Sequence, residues 1–132
     1  MSKAKAKGTA AEREVVRYLQ NWWPTAERRA LSGNKDKGDV GGNPGVCIEV
    51  KAAATQLIGP WQRETLVEQA NANAGACLLV VKRPYKTAAR WDAYMPLQQL
   101  EFAHCHRLPG MDLEWVRMDL MLAVAVLRQL GY

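Results

Sequence analysis

The residues with the clearest chemical potential are Glu49 and Lys51, which lie two positions apart in the apolar run Val46 to Lys51. On an extended strand, side chains two residues apart project from the same face, so this run places a carboxylate beside an ammonium group. Asp39 precedes them by one predicted hairpin, because the intervening segment Gly41 to Gly45 is dense in turn-forming residues. The hairpin should therefore bring the carboxylates of Asp39 and Glu49 together.

Two carboxylates and a strand carbonyl, taken as that of Val50, make the hard-oxygen site that Mg²⁺ accepts and that Mn²⁺ can share. A metal ion held there would polarise a phosphate and activate a bound water, while Lys51 orients or helps to deprotonate the nucleophile and offsets developing charge. The pattern therefore predicts metal-assisted phosphodiester hydrolysis. The alternative is an ordinary ion pair between Glu49 and Lys51 on a solvated strand. The apolar surroundings favour the functional interpretation, because charges are costly to bury without a task.

Glu12 has two interpretations. It follows Thr9 by three residues, which is the spacing of a helix capping box. Its place in the first turn of a predicted helix would also allow its carboxylate to face a metal at the end of the strands.

The order of elements predicts an α/β fold with a mixed central β-sheet flanked by helices, in a single domain over residues 1–132. Residues 1–7 are expected to be a basic flexible tail and residues 104–132 a C-terminal extension of uncertain role. The last helix has an apolar face that favours packing on the core over a subunit interface. The predicted elements are a helix from Thr9 to Pro24, strands at Thr25–Leu31, Asp39–Val40, Val46–Lys51, Ala76–Lys82, Arg90–Met95 and Leu113–Met118, and helices at Gly59–Asn73, Pro96–Phe102 and Leu120–Leu130.

The net charge of +5 and the pI near 9.3 favour a polyanionic partner. The lysines placed for phosphate contacts are Lys3, Lys5, Lys7, Lys35 and Lys37, the alternative being solvated charge. Three cysteines at wide spacing indicate reduced core thiols in a reducing compartment. Apolar runs are too short to span a membrane and no secretory leader is evident, so a cytoplasmic protein is expected. His104-Cys105-His106 has no second ligand pair at zinc spacing, so no zinc is expected.

Three segments in this order resemble the PD-(D/E)xK nucleases, and within them the archaeal-type Holliday junction resolvases and their phage relatives. Lys7 to Glu14 is similar to the opening helix of that family, Ser32 to Val40 to its loop and motif aspartate, and Cys47 to Lys51 to its catalytic strand. Gly75 to Pro84 resembles the core strand that follows, so the resemblance covers residues 7–100. It implies a restriction-endonuclease-like sheet and a protein of a prokaryotic cell or a phage-infected host.

The resemblance implies that Glu12, Asp39 and Glu49 are the acidic metal ligands and that Lys51 is the catalytic lysine. Ser32 matches a loop serine near the scissile phosphate, and Gln62 a polar helix residue beside the site, with Arg63 an equal candidate. With the five lysines already named for their charge, the predicted DNA-binding residues are Lys3, Lys5, Lys7, Arg13, Lys35, Lys37 and Arg63. The implied activity is that of a homodimer cutting four-way DNA junctions. Alternatives are a nonspecific, flap-type or restriction-like endonuclease, a catalytically inactive DNA-binding module, and an RNA substrate.

Overall fold

A computed structural model describes residues 2–29, 35–100 and 114–132. Within these ranges six strands form one mixed sheet, flanked by three α-helices, which confirms the predicted α/β fold. The strands are β1 (Glu27–Arg28), β2 (Val40–Gly41), β3 (Val46–Lys51), β4 (Ala76–Val81), β5 (Asp92–Pro96) and β6 (Trp115–Asp119). The helices are α1 (Lys3–Leu19), α2 (Ile58–Asn71) and α3 (Leu120–Gln129). None of the described helices is long and apolar enough to cross a membrane.

Each strand of the sheet pairs with its neighbour in the chain, in the order β1 to β6. All pairs are antiparallel except β3 and β4, which run parallel and are joined by the crossover helix α2. The parallel pair is the centre of the sheet, and its register sets Cys47 opposite Cys77 and Lys51 opposite Val81. Two parallel strands need such a crossover connection, and here the connecting helix α2 covers one face of β3 and β4.

The two faces of the central strands differ in chemistry. Val46, Ile48 and Val50 of β3 belong to the main core, which also contains the buried residues of α1 and α3. The other face lies under α2, where Trp61 packs against Leu79 and Val81. Because side chains alternate along a strand, Glu49 and Lys51 fall on this second face. The α2 side of the sheet therefore holds the candidate chemistry.

Helix α1 begins about two turns earlier than predicted. Its N-cap is Ser2, whose hydroxyl accepts a hydrogen bond from the Lys5 N–H (3.1 Å), so Thr9 lies inside the helix and caps nothing. The prediction that residues 1–7 form a tail is wrong from Lys3 onward. The physical reason is that alanine and lysine, which alternate here, are good helix formers once a cap is present.

Residues 115–132 of the predicted C-terminal extension pack with the rest of the fold. β6 pairs along its length with β5, and Leu120, Ala123, Val124 and Leu127 of α3 are buried in the main core. This confirms that the last helix packs on the core. Strand β3 begins and ends where predicted. β1 is confined to two residues, and the helix predicted from Pro96 is, within the described residues, a 3-10 turn at Leu97–Gln99.

Two glycines shape the hairpin that carries Asp39. Gly42 has a φ of +77°, and a Cβ there would lie 1.9 Å from the Thr25 carbonyl oxygen. Gly38 has a φ of +93°, and a Cβ there would lie 2.8 Å from the Ile48 carbonyl oxygen. Only glycine fits either position, because L side chains are strained at these angles and meet backbone that cannot give way. The close approach at Gly38 is what brings the next residue against β3.

We expect Gly42→Ala to destabilise the fold by more than about 1–3 kcal/mol, because a strained φ adds to the steric clash with Thr25. Gly8→Ala is the matched control, because Gly8 lies within α1 and a Cβ there would meet nothing within 4 Å. That control should stabilise by up to about 1 kcal/mol. The measurement is urea unfolding followed by circular dichroism. Equal stability of the Gly42→Ala variant and the wild type would contradict the assigned hairpin.

Candidate active site

Asp39 lies where β2 separates from β3. Its N–H donates to the Ile48 carbonyl (2.8 Å), which continues the antiparallel pairing of Val40 with Ile48. Its carboxylate Oδ2 accepts the next outward hydrogen bond of β3, from the Val50 N–H (2.8 Å). A side-chain carboxylate thus replaces the missing strand partner. This arrangement fixes the acid at the strand edge and leaves room beside it.

Glu49 and Lys51 project together under α2, as predicted. Glu49 is 2% exposed, and the Lys51 ammonium lies 3.9 Å from its Oε2. The same ammonium lies 3.2 Å from Glu64 on α2. Lys51 therefore lies between a buried carboxylate and an exposed one, near the C-terminal end of β3.

Helix α2 supplies a further acid that faces the sheet. Trp61, Thr65 and Glu68 form its buried side, at the spacing of one helical face. Glu68 is 2% exposed, and neither of its carboxylate oxygens has a hydrogen-bond donor within the part of the chain that the structure describes. Its polar neighbour is the carboxyl of Glu49. Two carboxyls can bond to each other only when one of them is protonated, so the ionised pair needs another partner.

Asp36 completes the group from the loop before β2. Its Oδ1 accepts from the Gly38 N–H (2.9 Å), and its backbone carbonyl accepts from the Asn71 side chain on α2 (2.8 Å). One carboxylate oxygen from each of four residues lies within 4.8 Å of the other three, and we call these residues the acidic cluster: Asp36, Glu49, Glu64 and Glu68. The loop, the central strand and the crossover helix each contribute to it.

The acidic cluster fits a divalent metal ion. Oxygens on opposite sides of Mg²⁺ or Ca²⁺ are about 4 to 5 Å apart, which matches the spread of the cluster. All donors are carboxylates, the ligands that hard cations prefer. The unpartnered oxygens of Glu68 add an independent indication, since a buried carboxylate without a donor or cation is costly.

Crowding of buried acids raises their pKa values. Burial raises the pKa of Asp39 to about 8, with further increases from the hydrogen bond and charge of Glu49, against lowering by the Val50 N–H and Lys51. Burial also raises the pKa of Glu49, mainly reinforced by Glu68 and opposed by a hydrogen bond with Asp39. Without a cation, the site therefore holds protons at neutral pH. A divalent ion would displace them.

Glu68 and Lys51 follow the same logic. Burial raises the pKa of Glu68 to about 7, the neighbouring Glu49 carboxyl opposes the increase because the two can share a proton, and the charges of Asp36, Glu64 and Asp39 add to it. For Lys51, burial by itself lowers the pKa, but the carboxylates of Glu49 and Glu64 outweigh burial and leave the pKa raised. Lys51 is accordingly a cation at neutral pH, fit to hold an anion rather than to act as a base.

Glu12 lies beside Asp39 but outside the acidic cluster. Its carboxylate forms an ion pair with Arg28 of β1 at 3.0 Å. Burial raises the pKa of Glu12, the charge of Asp39 adds to this, and Arg28 opposes it. The predicted ligand set of Glu12, Asp39, Glu49 and the Val50 carbonyl is thus drawn together in part: Asp39 is a spatial neighbour of both Glu12 and Glu49, while Val50 contacts Asp39 through its N–H rather than its carbonyl.

The remaining predicted residues lie around this centre. Gln62 is half-buried on α2 and Arg63 is exposed there. The predicted phosphate-contacting cations of α1 and of the loop before β2 are all exposed: Lys3, Lys5, Lys7, Arg13, Lys35 and Lys37. Ser32 and the histidines and cysteine at His104-Cys105-His106 lie outside the described residues.

Sequence reasoning missed three members of the acidic cluster, Asp36, Glu64 and Glu68. Glu64 and Glu68 are four residues apart on one helix, and Glu68 occupies the inward position that follows Trp61 and Thr65. A glutamate on the buried side of an amphipathic helix is the pattern that could have identified it. Asp36 carries no such pattern, because its position depends on the hydrogen bond to Asn71, which is remote in sequence.

Two thiols line the same face of the sheet. Cys47 and Cys77 are buried, unbridged and opposite each other, as the prediction of reduced core thiols requires. Burial raises the pKa of each to about 12, and the charge of Glu68 contributes to both. They remain neutral and add no negative charge to a site that already concentrates it.

Comparison with known proteins gives one structural likeness. No family model matches the chain, and no curated protein matches it. Among solved structures it is similar to Hjc, a Holliday junction resolvase from the archaeal hyperthermophile Archaeoglobus fulgidus, at 21% identity and a TM-score of 0.46. The match covers 89% of this chain and 93% of that chain. These values are too low to assign a family, so the chemistry must be inferred from the chain's own side chains.

We expect the metal-free protein to lose stability as pH rises from about 5 to 8. The folded pKa values of Glu68 and Asp39 are raised above their ordinary values of 4.5 and 3.8. The stability that each protonated group contributes is therefore complete only at a pH below its ordinary pKa. It is lost as pH rises through about 7 and 8. The measurement is the melting temperature in EDTA across this range. Glu68→Gln should flatten the profile and the exposed control Glu27→Gln should not; a wild-type profile that rises with pH would contradict the arrangement.

Metal binding should depend on the acidic cluster. We expect Glu49→Gln and Glu68→Gln each to weaken Mn²⁺ binding at least about tenfold, because each removes a buried carboxylate ligand. Glu12→Gln should have a smaller effect, since that carboxylate is held by Arg28. Isothermal titration calorimetry with Mn²⁺ measures this, with Glu27→Gln as the control. Unchanged affinity in Glu68→Gln would remove α2 from the metal site.

Proposed function

We propose that the chain is a magnesium-dependent endodeoxyribonuclease that hydrolyses phosphodiester bonds. One observation carries this proposal: a lysine ammonium lies at the margin of a group of four carboxylates, 3.9 Å from Glu49, one of the two that are buried. Carboxylates alone would serve a structural cation. A neighbouring ammonium adds a group that can bind an anionic substrate and stabilise charge that develops on it.

The roles of the side chains follow from their positions. Asp36, Glu49, Glu64 and Glu68 would hold Mg²⁺ or Mn²⁺, with Asp39 beside them; the ion, when bound, supplies Lewis acidity toward a phosphate oxygen and acidifies a bound water. Lys51 holds the scissile phosphate or the attacking water and offsets negative charge in the transition state. To bind a phosphate, the Lys51 ammonium would have to leave the exposed carboxylate of Glu64 and would remain near Glu49.

The proposed substrate is branched DNA. The whole chain carries a net charge of +5 although its centre is strongly acidic, so the surplus positive charge lies outside the cluster, where a polyanion would contact it. The ordered resemblance of the opening helix, motif aspartate and catalytic strand to the Holliday junction resolvases supports a four-way junction and action as a homodimer. Gln62, Arg63 and Ser32 are retained as positioning residues in this proposal.

A catalytically inactive DNA-binding module accounts less well for the site. Such a protein would gain nothing from three neighbouring acids, two of them buried, whose pKa values are raised mainly by burial. Strongly shifted pKa values of this kind cluster at sites of catalysis or metal binding.

Replacing Lys51 should separate catalysis from binding. We expect Lys51→Met to lower the cleavage rate about 10²- to 10³-fold in the presence of Mg²⁺, because the variant lacks the cation beside the reacting phosphate. DNA affinity, measured with Ca²⁺, should change by less than about threefold. Arg17→Met, which removes one exposed cation on α1, is the control and should cleave normally. Full activity of Lys51→Met would contradict the proposed role.

The same assay tests the substrate when a synthetic four-way junction competes with linear duplex of the same sequence. Paired, symmetric nicks in the junction, with little cutting of the duplex, would support the resolvase assignment and dimeric action. Equal cutting of both would overturn the resolvase assignment and leave a nonspecific endonuclease. Absence of cleavage by the wild type with either Mg²⁺ or Mn²⁺ would overturn the enzyme assignment.

A further inference from the structure

A concave surface lies where β3 and β4 end, between the residues that follow these strands and Lys7 of α1. It is a groove of about 440 Å³, which we call the basic groove, and its lining includes Lys7, Ala52 to Ala54, Lys82 and Tyr85. Its volume falls within the roughly 300–1,000 Å³ range of sites that hold small molecules or parts of larger ones. Three consecutive alanines on one side leave room for a ligand to approach the backbone.

The basic groove is joined to the proposed active site through the backbone. Ala52 directly follows Lys51, and the Lys82 N–H donates to the Lys51 carbonyl (2.9 Å). The Lys82 ammonium lies 5.7 Å from the centre of the Trp91 ring, in a cation–π contact. Lys82 is therefore a positioned cation at the ends of the two central strands, one backbone hydrogen bond away from Lys51.

Tyr85 is the most exposed large apolar or aromatic residue in the described ranges. Its relative exposure is 104%, and its backbone has a φ of +62°, a conformation that non-glycine residues seldom adopt. Neither the burial nor the backbone of this turn calls for an aromatic ring. The indole N–H of Trp91 donates to the Lys86 carbonyl in this turn (2.8 Å), and an exposed ring on such a turn is the kind of platform on which unpaired bases stack.

The two chain segments that supply most of the groove's lining carry positive charges and no acidic residue, and Arg90 near the end of the second is paired with Asp119 of β6 at 3.0 Å. The chain has no acidic residue from Ala52 to Arg63 or from Gln69 to Trp91. The second of these segments carries four cations around the tyrosine: Lys82, Arg83, Lys86 and Arg90. Cations flanking an aromatic ring complement a nucleic-acid strand, whose phosphates and bases alternate along its length.

We propose that the basic groove binds an unpaired segment of DNA beside the cleavage site, with Tyr85 stacking on a base and Lys7 and Lys82 contacting phosphates. This inference rests on the proposed function for the identity of the polymer as DNA. It adds a specificity determinant: strand segments that leave the duplex near the scissile bond would be captured, whereas continuous duplex presents no free base to the ring. Branched DNA offers such segments where its arms open.

The test measures binding without cleavage, by fluorescence anisotropy in Ca²⁺, with probes that do not depend on catalysis. One probe is a duplex with a single-stranded extension containing 2-aminopurine, and the other is a blunt duplex of equal length. We expect Tyr85→Ala to weaken binding of the extended probe about tenfold and to abolish the change in 2-aminopurine fluorescence. Binding of the blunt duplex should change less than twofold. Lys82→Ala should lower the salt dependence of binding by about one ion.

Tyr85→Phe keeps the ring and should bind as the wild type does, and Met121→Ala, which removes an exposed apolar side chain on α3, is the surface control. Equal weakening of both probes, or unchanged affinity in Tyr85→Ala, would overturn the proposal. Tighter binding of an RNA probe of the same sequence would overturn the assignment to DNA. Cleavage by the wild type is scored separately with Mg²⁺, so a loss of Tyr85-dependent binding and a failure of the nuclease assignment give different results.

Discussion

The rest of the site depends on the hydrogen bond from the Val50 N–H to the carboxylate of Asp39. Strand β2 contributes only two residues, and beyond them β3 would present an unpaired backbone donor at an edge close to buried acids. Asp39 satisfies that donor with a side chain instead of a strand. Because a side chain rather than a strand pairs with the Val50 N–H, no further strand residues cover this part of β3, and the Asp39 carboxylate is held close to Glu49. Gly38 makes it possible, because a side chain at that position would push the loop away from β3.

This arrangement places repulsion at the centre of an otherwise apolar fold. Asp39, Glu49 and Glu68 are held together by the surrounding sheet and helix packing, and the positive charges nearest to them are few. Lys51 serves the inner carboxylates, and Arg28 serves Glu12 on the neighbouring side. Protons compensate for the remaining charge when no cation is present, and a divalent ion would do so more effectively. The packing of the rest of the fold thus offsets the repulsion among these carboxylates, as is typical of sites that bind metals.

The sequence predicted what depends on local pattern and missed what depends on packing. β3 and β4 were identifiable because continuous apolar, β-favouring runs have few alternative structures, and the pairing of Glu49 with Lys51 followed from strand alternation. The start of α1 was misplaced because the capping pattern at Thr9 competes with an equally good cap at Ser2. Glu68 was missed because its importance arises only when α2 docks on β3. Asp36 reaches the cluster through a hydrogen bond to Asn71, which no local pattern encodes.

The crossover helix between β3 and β4 has a consequence for how the protein matures. Glu49 precedes that helix, and Glu64 and Glu68 lie on it, so a chain that has paired its parallel strands has necessarily brought these acids together. Asp36 and Asp39 come from the opposite direction along the chain, on a hairpin that must dock separately. Affinity for a cation therefore arises only when two independent parts of the chain have reached their final positions. An incompletely folded chain, during synthesis or after damage, would be without the assembled acidic cluster and so without the cation on which the proposed cleavage depends.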